Sequence, residues 1–144
     1  MMSSVQMFVR CYIIEGRDFA SRDIGGSSDT YIVVTCGDKV YSERENYQID
    51  ESNPQFNKCY EFSATFPGAY PIEIEAYDYD DLFGDDLIGK TSVDLDDRQF
   101  SPEWKALLYK PIEEREIYHP STSLAQGTIR CWVDIFDQAA ENEP

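Results

Sequence analysis

The sequence predicts an all-β chain, folded as an eight-stranded antiparallel Greek-key β-sandwich with one short peripheral helix. Three observations point there. Short segments alternate apolar and polar residues with the period of two that a half-buried strand requires, glycine and proline turns interrupt them at close spacing, and one stretch alone carries convincing helix signals. A chain of 144 residues has the length of a single domain, expected over 5–137, with 138–144 as a disordered tail.

The opening segment VQMFVRCYIIEG reads as a strand with Val9, Cys11 and Ile13 on one face and Tyr12 and Ile14 on the other. RDFASRDIGGSSDT follows, too rich in glycine, serine and aspartate to pack a core, and is expected to be a surface loop carrying Asp23 and Asp29. TYIVVTCG is apolar on both faces, as suits the interior of a sheet, and Gly37-Asp38 turns it into KVYSERE as a hairpin. After a turn at Asn53-Pro54, Tyr60, Phe62, Ala64 and Phe66 share the apolar face of a further strand, which Pro67 and Gly68 stop. IEIEAY alternates directly into an acidic stretch, beyond which LIGKTSVDL puts Leu87, Gly89, Thr91, Val93 and Leu95 on one side. The helix is expected in SPEWKALLYK, where Ser101 can cap, Pro102 suits the first helical position, Glu103 suits the positive end and Pro111 closes. PIEEREIYHPSTSLAQ reads as a long polar connection, so that helix and connection together occupy the region near 101–126. GTIRCWVDIF is a last strand, with Ile129, Cys131, Val133 and Ile135 facing one way.

Composition narrows the partners. The chain has 28 acidic and 12 basic residues, a net charge of -16, which disfavours nucleic acid and also an anionic membrane unless a local cation inverts the sign. With no apolar run as long as a membrane span and no signal-peptide start, the chain reads as soluble and cytosolic. Cys11, Cys36, Cys59 and Cys131 are widely spaced inside predicted strands, which argues against zinc and against a disulfide framework. Catalysis has little support: His119 stands beside Pro120 in a polar connection, and GGSSD misses the nucleophile-elbow pattern at its last position. The expectation is a binding module, not an enzyme.

The stretch YDYDDLFGDDLIG, Tyr77 to Gly89, carries the chemistry. Asp78, Asp80, Asp81, Asp85 and Asp86 follow a strand directly, and carboxylates converging there would repel one another unless a cation offset the charge. Calcium suits a ring of flexible loop carboxylates better than magnesium, which demands a tight octahedron. An EF-hand is excluded by spacing, because Phe83 falls where that loop needs glycine and Gly89 where it needs glutamate. Leu82-Phe83-Gly84 forms an apolar tip amid the acids, for which a merely soluble turn has little use.

These residues also carry a resemblance. RDFASRDIGGSSDTYIVV resembles the first calcium loop of C2 domains, YDYDDLFGDDLIG is similar to their third, and ESNPQF between them matches too. SERENYQIDESNPQFNKCYEF, SPEWKALLYKPIEEREIYHPS and QGTIRCWVDIF resemble segments of ferlins, large multi-C2 membrane-fusion proteins, so the likeness covers nearly the whole chain. A start at the VRCYIIEG strand and a last strand after the long connection look like the family's type II topology.

The resemblance implies a calcium set of Asp23, Asp29, Asp78, Asp80 and Asp86, with the Ile24 and Asp85 backbone carbonyls as further donors. It also implies membrane insertion by Leu82 and Phe83, with Ile24 a weaker candidate. Two departures stand out: Phe83, where many calcium-binding relatives have serine or another oxygen ligand, and Thr30-Tyr31, where the family usually shows Pro-Tyr. The implied function is calcium-dependent docking on anionic phospholipid at the cytosolic face of membranes. The implied setting is one module of a membrane-anchored, ferlin-like protein of vesicle fusion and exocytosis, in contact with its other domains or the fusion machinery. The rival expectation is a calcium-insensitive C2 domain that binds other proteins. Lys39, Arg44 and Lys58 lie where many C2 domains carry a lysine-rich phosphoinositide strand, but among so many acids they predict no such site, and Lys39 and Arg44 read as a solvated strand face.

Overall fold

The computed structural model describes residues 3–21 and 26–137. Eight antiparallel strands run β1 (Val5–Arg17), β2 (Thr30–Cys36), β3 (Lys39–Ser42), β4 (Gln55–Phe66), β5 (Ile72–Asp78), β6 (Asp86–Val93), β7 (Glu113–Tyr118) and β8 (Ala125–Phe136). Their spatial order is β3-β2-β5-β6-β7-β8-β1-β4. The β6–β7 junction rests on one paired position, Lys90 with Tyr118, so the halves on either side of it fold over as the two layers of a sandwich. The final strand β8 lies between β7 and β1, beside the strand that opens the chain, which is the type II arrangement expected from the sequence. No helix among the described residues is long and apolar enough to cross a membrane.

The core follows the alternation read from the sequence. Val9, Cys11 and Ile13 of β1, Tyr60, Phe62, Ala64 and Phe66 of β4, and Ile129, Cys131 and Val133 of β8 are all buried. Ile32 and Val34 of β2 and Ile72, Ile74 and Ala76 of β5 meet them from the opposite layer. Cys36 pairs with Lys39, so Gly37 and Asp38 form the expected two-residue hairpin, with Gly37 at the positive φ of 62° that the turn requires. Cys11, Cys36 and Cys131 are buried and Cys59 is exposed, all four as free thiols.

Four departures from the expected elements have physical causes. First, β7 lies inside what reads as a polar connection. Its Glu113 and Arg115 pair with each other at 2.8 Å and Glu113 with Arg98 at 2.6 Å, so ion pairs occupy positions where apolar residues would have marked a strand, and Ile117 alone is fully buried. Second, Ala76 pairs with Gly89 but the next residue, Tyr77, pairs with Leu87. The bulge leaves Ile88 as the extra residue, which turns it into the core and Leu87 partly outward.

Third, the helix is shorter than expected. Ser101 Oγ accepts from the Trp104 N–H at 3.2 Å, as its capping role predicts, but α2 covers only Pro102–Lys105, after a one-turn α1 at Asp96–Gln99. Lys110 Nζ donates to the Trp104 and Leu107 carbonyls at 2.8 and 2.9 Å, and Leu108 and Tyr109 are exposed, so no apolar face supports further turns. Fourth, Phe19 falls in the expected surface loop yet is 3% exposed. Its ring occupies space that only glycine leaves open: a Cβ at Gly16 would lie 2.4 Å from it and one at Gly127 2.6 Å. Two backbone bonds, Phe19 N–H to Ser52 O and Ala20 N–H to Gln126 O, both 2.9 Å, hold the segment there. Phe19→Ala should therefore destabilise the domain by about 3–5 kcal/mol in urea unfolding, a core-sized loss rather than a loop-sized one.

Candidate functional site

Strand register assembles the acidic end of the sandwich. β5 lies between β2 and β6, and its last residue, Asp78, pairs with Thr30 on one side and Asp86 on the other. Asp29 immediately precedes Thr30, so the close of the first acidic loop and both ends of the third meet at one edge. The contact is direct: the Asp29 N–H donates to Asp78 Oδ1 at 2.9 Å, and the Tyr79 N–H donates to the Asp29 carbonyl at 2.8 Å. Asp29 Oδ1 in turn accepts from the Asp50 N–H at 2.8 Å, which ties in the connection before β4.

Asp78 is 1% exposed, whereas Asp80 is half-buried and Asp86 exposed. Asp80 Oδ1 accepts from the Leu82 and Phe83 N–H groups at 2.9 and 3.1 Å, folding the loop tip back over its own carboxylate. The tip is open to solvent, with Leu82 83% and Phe83 89% exposed, so Phe83 does not pack against its own loop. Asp23 and Ile24 lie outside the described residues. Among the described residues no three acidic, histidine or cysteine side chains converge closely enough to hold an ion. The donors brought to this end are all oxygens, which suits a hard cation such as calcium.

A second cluster, invisible in the sequence, holds the third loop. Arg44 lies in a 3-10 turn, Arg44–Asn46, and not on a solvated strand face. Its Nε donates to Asp85 Oδ2 at 2.7 Å and its Nη2 to Asp85 Oδ1 at 3.3 Å. The Tyr31 hydroxyl donates to Asp85 Oδ2 and the Asp80 N–H to Asp85 Oδ1 at 2.9 Å. The Arg44 guanidinium holds the Asp85 carboxyl well below the usual carboxylate range, at about 2. Burial pushes the Tyr31 phenol up, and its hydrogen bond to Asp85 adds to the shift. Arg44 also lies 4.5 Å over the Tyr79 ring, which stacks on Tyr47 at 3.9 Å. In sequence Arg44 sits between Glu43 and Glu45, where nothing distinguishes it from a surface charge.

The other bases of the same region are engaged too. Lys58 pairs with Glu43 at 2.5 Å, and Lys39 lies 5.1 Å from the Tyr41 ring. His119 accepts the Ser121 N–H at 3.0 Å on Nδ1, which makes it part of a turn.

The family model of the C2 domain matches residues 8–110. This chain belongs to the C2 domain family. As a C2 domain it is 38% identical over 98 residues to myoferlin of Xenopus tropicalis, a match covering 68% of this chain and 5% of that protein. The chain thus spans about one-twentieth of that relative's length. Two solved structures share the fold. The calcium-bound pair of C2 domains from extended synaptotagmin 2 matches 90% of this chain and 45% of that one, with a TM-score of 0.72 and 21% identity. A single C2 domain of plant extended synaptotagmin 1 matches 91% and 95%, with a TM-score of 0.69 and 14% identity.

Because the Asp85 pKa is lowered in the folded state, the stability it contributes is complete above its unfolded value of about 4 and is lost as pH falls from there through about 2. In urea unfolding with EGTA present, the stability gap between wild type and Asp85→Asn should be widest near neutral pH. It should close across that acid window.

Proposed function

We propose that this C2 domain is a calcium-dependent phospholipid-binding module, part of a larger ferlin-like protein of membrane trafficking. The observation that carries the reading is the strand register that sets Asp29, Asp78 and Asp86 at one edge, next to a loop whose Leu82 and Phe83 are exposed. An exposed Leu-Phe pair at the rim of an acidic cluster is hard to account for in water and natural against a membrane. With a net charge of -16, docking on anionic lipid needs a cation in between, and calcium held by Asp23, Asp29, Asp78, Asp80 and Asp86 would provide it. The Ile24 and Asp85 carbonyls would supply further oxygens, and headgroup phosphate would complete the coordination. Leu82 and Phe83 would then insert, with Ile24 from the first loop beside them. The calcium-bound state of the extended synaptotagmin 2 structure agrees with this reading. The module binds and does not catalyse, and its place is peripheral, at the cytosolic face of a membrane.

The rival reading, a calcium-insensitive C2 domain that docks on proteins, draws on one observation. Asp80 and Asp85 are already satisfied by the Leu82 and Phe83 amides and by Arg44. A thermal melt in EGTA and in rising calcium, with magnesium as control, separates the two. Calcium at a hundredfold excess over its dissociation constant should stabilise the domain by about 2.7 kcal/mol, whereas the rival predicts no shift at millimolar calcium.

Three substitutions extend the test. Asp80→Asn should abolish calcium-dependent sedimentation with phosphatidylserine liposomes, and unchanged sedimentation would remove the calcium reading. Leu82→Ala and Phe83→Ala should each weaken the same binding by about 1.5–3 kcal/mol while leaving calcium affinity without lipid unchanged.

A further inference from the structure

We infer that Arg44 is a positioning residue for the third loop: with the Tyr31 phenol it clamps Asp85 and thereby raises the calcium affinity of the neighbouring aspartates. The inference rests on the calcium reading above. Arg44 belongs to neither acidic loop; it comes from the turn after β3. Its two-pronged contact, with Nε and Nη2 on the two oxygens of one carboxylate, fixes direction as well as distance. Asp85 is the residue before Asp86, and the Asp80 N–H that also bonds it lies at the opposite end of the loop. One carboxylate therefore ties β2, the 3-10 turn and both ends of the loop together without any ion. Tyr79 extends the clamp. Its ring lies between Arg44 and Tyr47, and its N–H bonds the Asp29 carbonyl, so the first loop is attached to the same anchor.

A loop ordered in advance loses less conformational freedom when the ion arrives, which favours binding. Charge acts in the opposite direction. A guanidinium beside the site repels a divalent cation, and removing it would also leave the Asp85 carboxylate free to attract one. On charge alone, neutralising Arg44 should tighten calcium binding. The clamp predicts the reverse, so the sign of the change decides between them.

The experiment is calorimetric titration of the domain with calcium chloride, using wild type, Arg44→Gln, Arg44→Lys and Tyr31→Phe, each first checked for folding by its urea midpoint in EGTA. Arg44→Gln should weaken binding about tenfold. Tyr31→Phe, which changes no charge, should weaken it by a smaller factor. Arg44→Lys should recover only part of the loss, because a lysine cannot make the forked contact. In EGTA, hydrogen exchange at the Leu82 and Phe83 amides, which close on Asp80, should speed up in Arg44→Gln. Unchanged or tighter calcium binding by Arg44→Gln, with a normal wild-type isotherm, overturns the clamp and leaves the calcium reading standing. A wild-type domain that gives no isotherm overturns both, and the missing wild-type signal tells that outcome apart from the first.

Discussion

The pairing of β5 with β2 and β6 is the constraint on which the acidic end depends. Antiparallel neighbours bring the end of one strand beside the start of the next, so Asp78 is fixed between Thr30 and Asp86 and two loops distant in sequence are forced together. The bulge at Ile88 belongs to this arrangement, because it keeps an apolar side chain in the core just where the strand begins to carry acids. Asp78, nearly inaccessible to solvent, is tolerable at that position only with hydrogen bonds to its carboxylate, and the Asp29 backbone supplies one of them.

Like charges gathered at one end raise the question of what holds them. Much of the base in this chain is spent along the flanks of the sandwich, in pairs such as Arg10 with Glu61, Arg17 with Glu15 and Arg98 with Glu113. An open pair such as Arg10 with Glu61 contributes little to stability. Arg44 differs because its partner accepts a phenol and a backbone amide as well, so the contact acts on loop geometry. The third loop divides its acids accordingly. Asp85 is committed to the protein, Asp80 holds the tip, and Asp78 and Asp86 stand at the strand ends.

Much of the fold was legible along the chain because burial imposes a period of two on a strand, and Val9-Cys11-Ile13 or Tyr60-Phe62-Ala64-Phe66 announce it plainly. β7 was hidden because its inner face is built from Glu113 and Arg115 as an ion-pair network, which reads as loop to any argument from hydrophobicity. Phe19 was hidden for a different reason. Its burial depends on two glycines, Gly16 and Gly127, that lie far apart in sequence and close in space. The candidate site was legible only in part. Asp29, Asp78, Asp80 and Asp86 stand out as acids in two segments that resemble the calcium loops of C2 domains, but Arg44 and Tyr31 carry no local mark of their meeting at Asp85.

By itself the sequence determined the sandwich, the hairpin at Gly37-Asp38, the strand that runs into the aspartates and the apolar tip set among them. All of these are short-range patterns, written by alternation, turn chemistry and charge within a few neighbouring residues. Only the tertiary structure decided that the two acidic segments share one end, that the tip is uncovered, and that a single arginine from a third segment holds the loop. Those facts depend on strand register and on contacts between residues far apart in the chain, such as Arg44 with Asp85 and Asp29 with Asp78, where local composition has no bearing on the outcome.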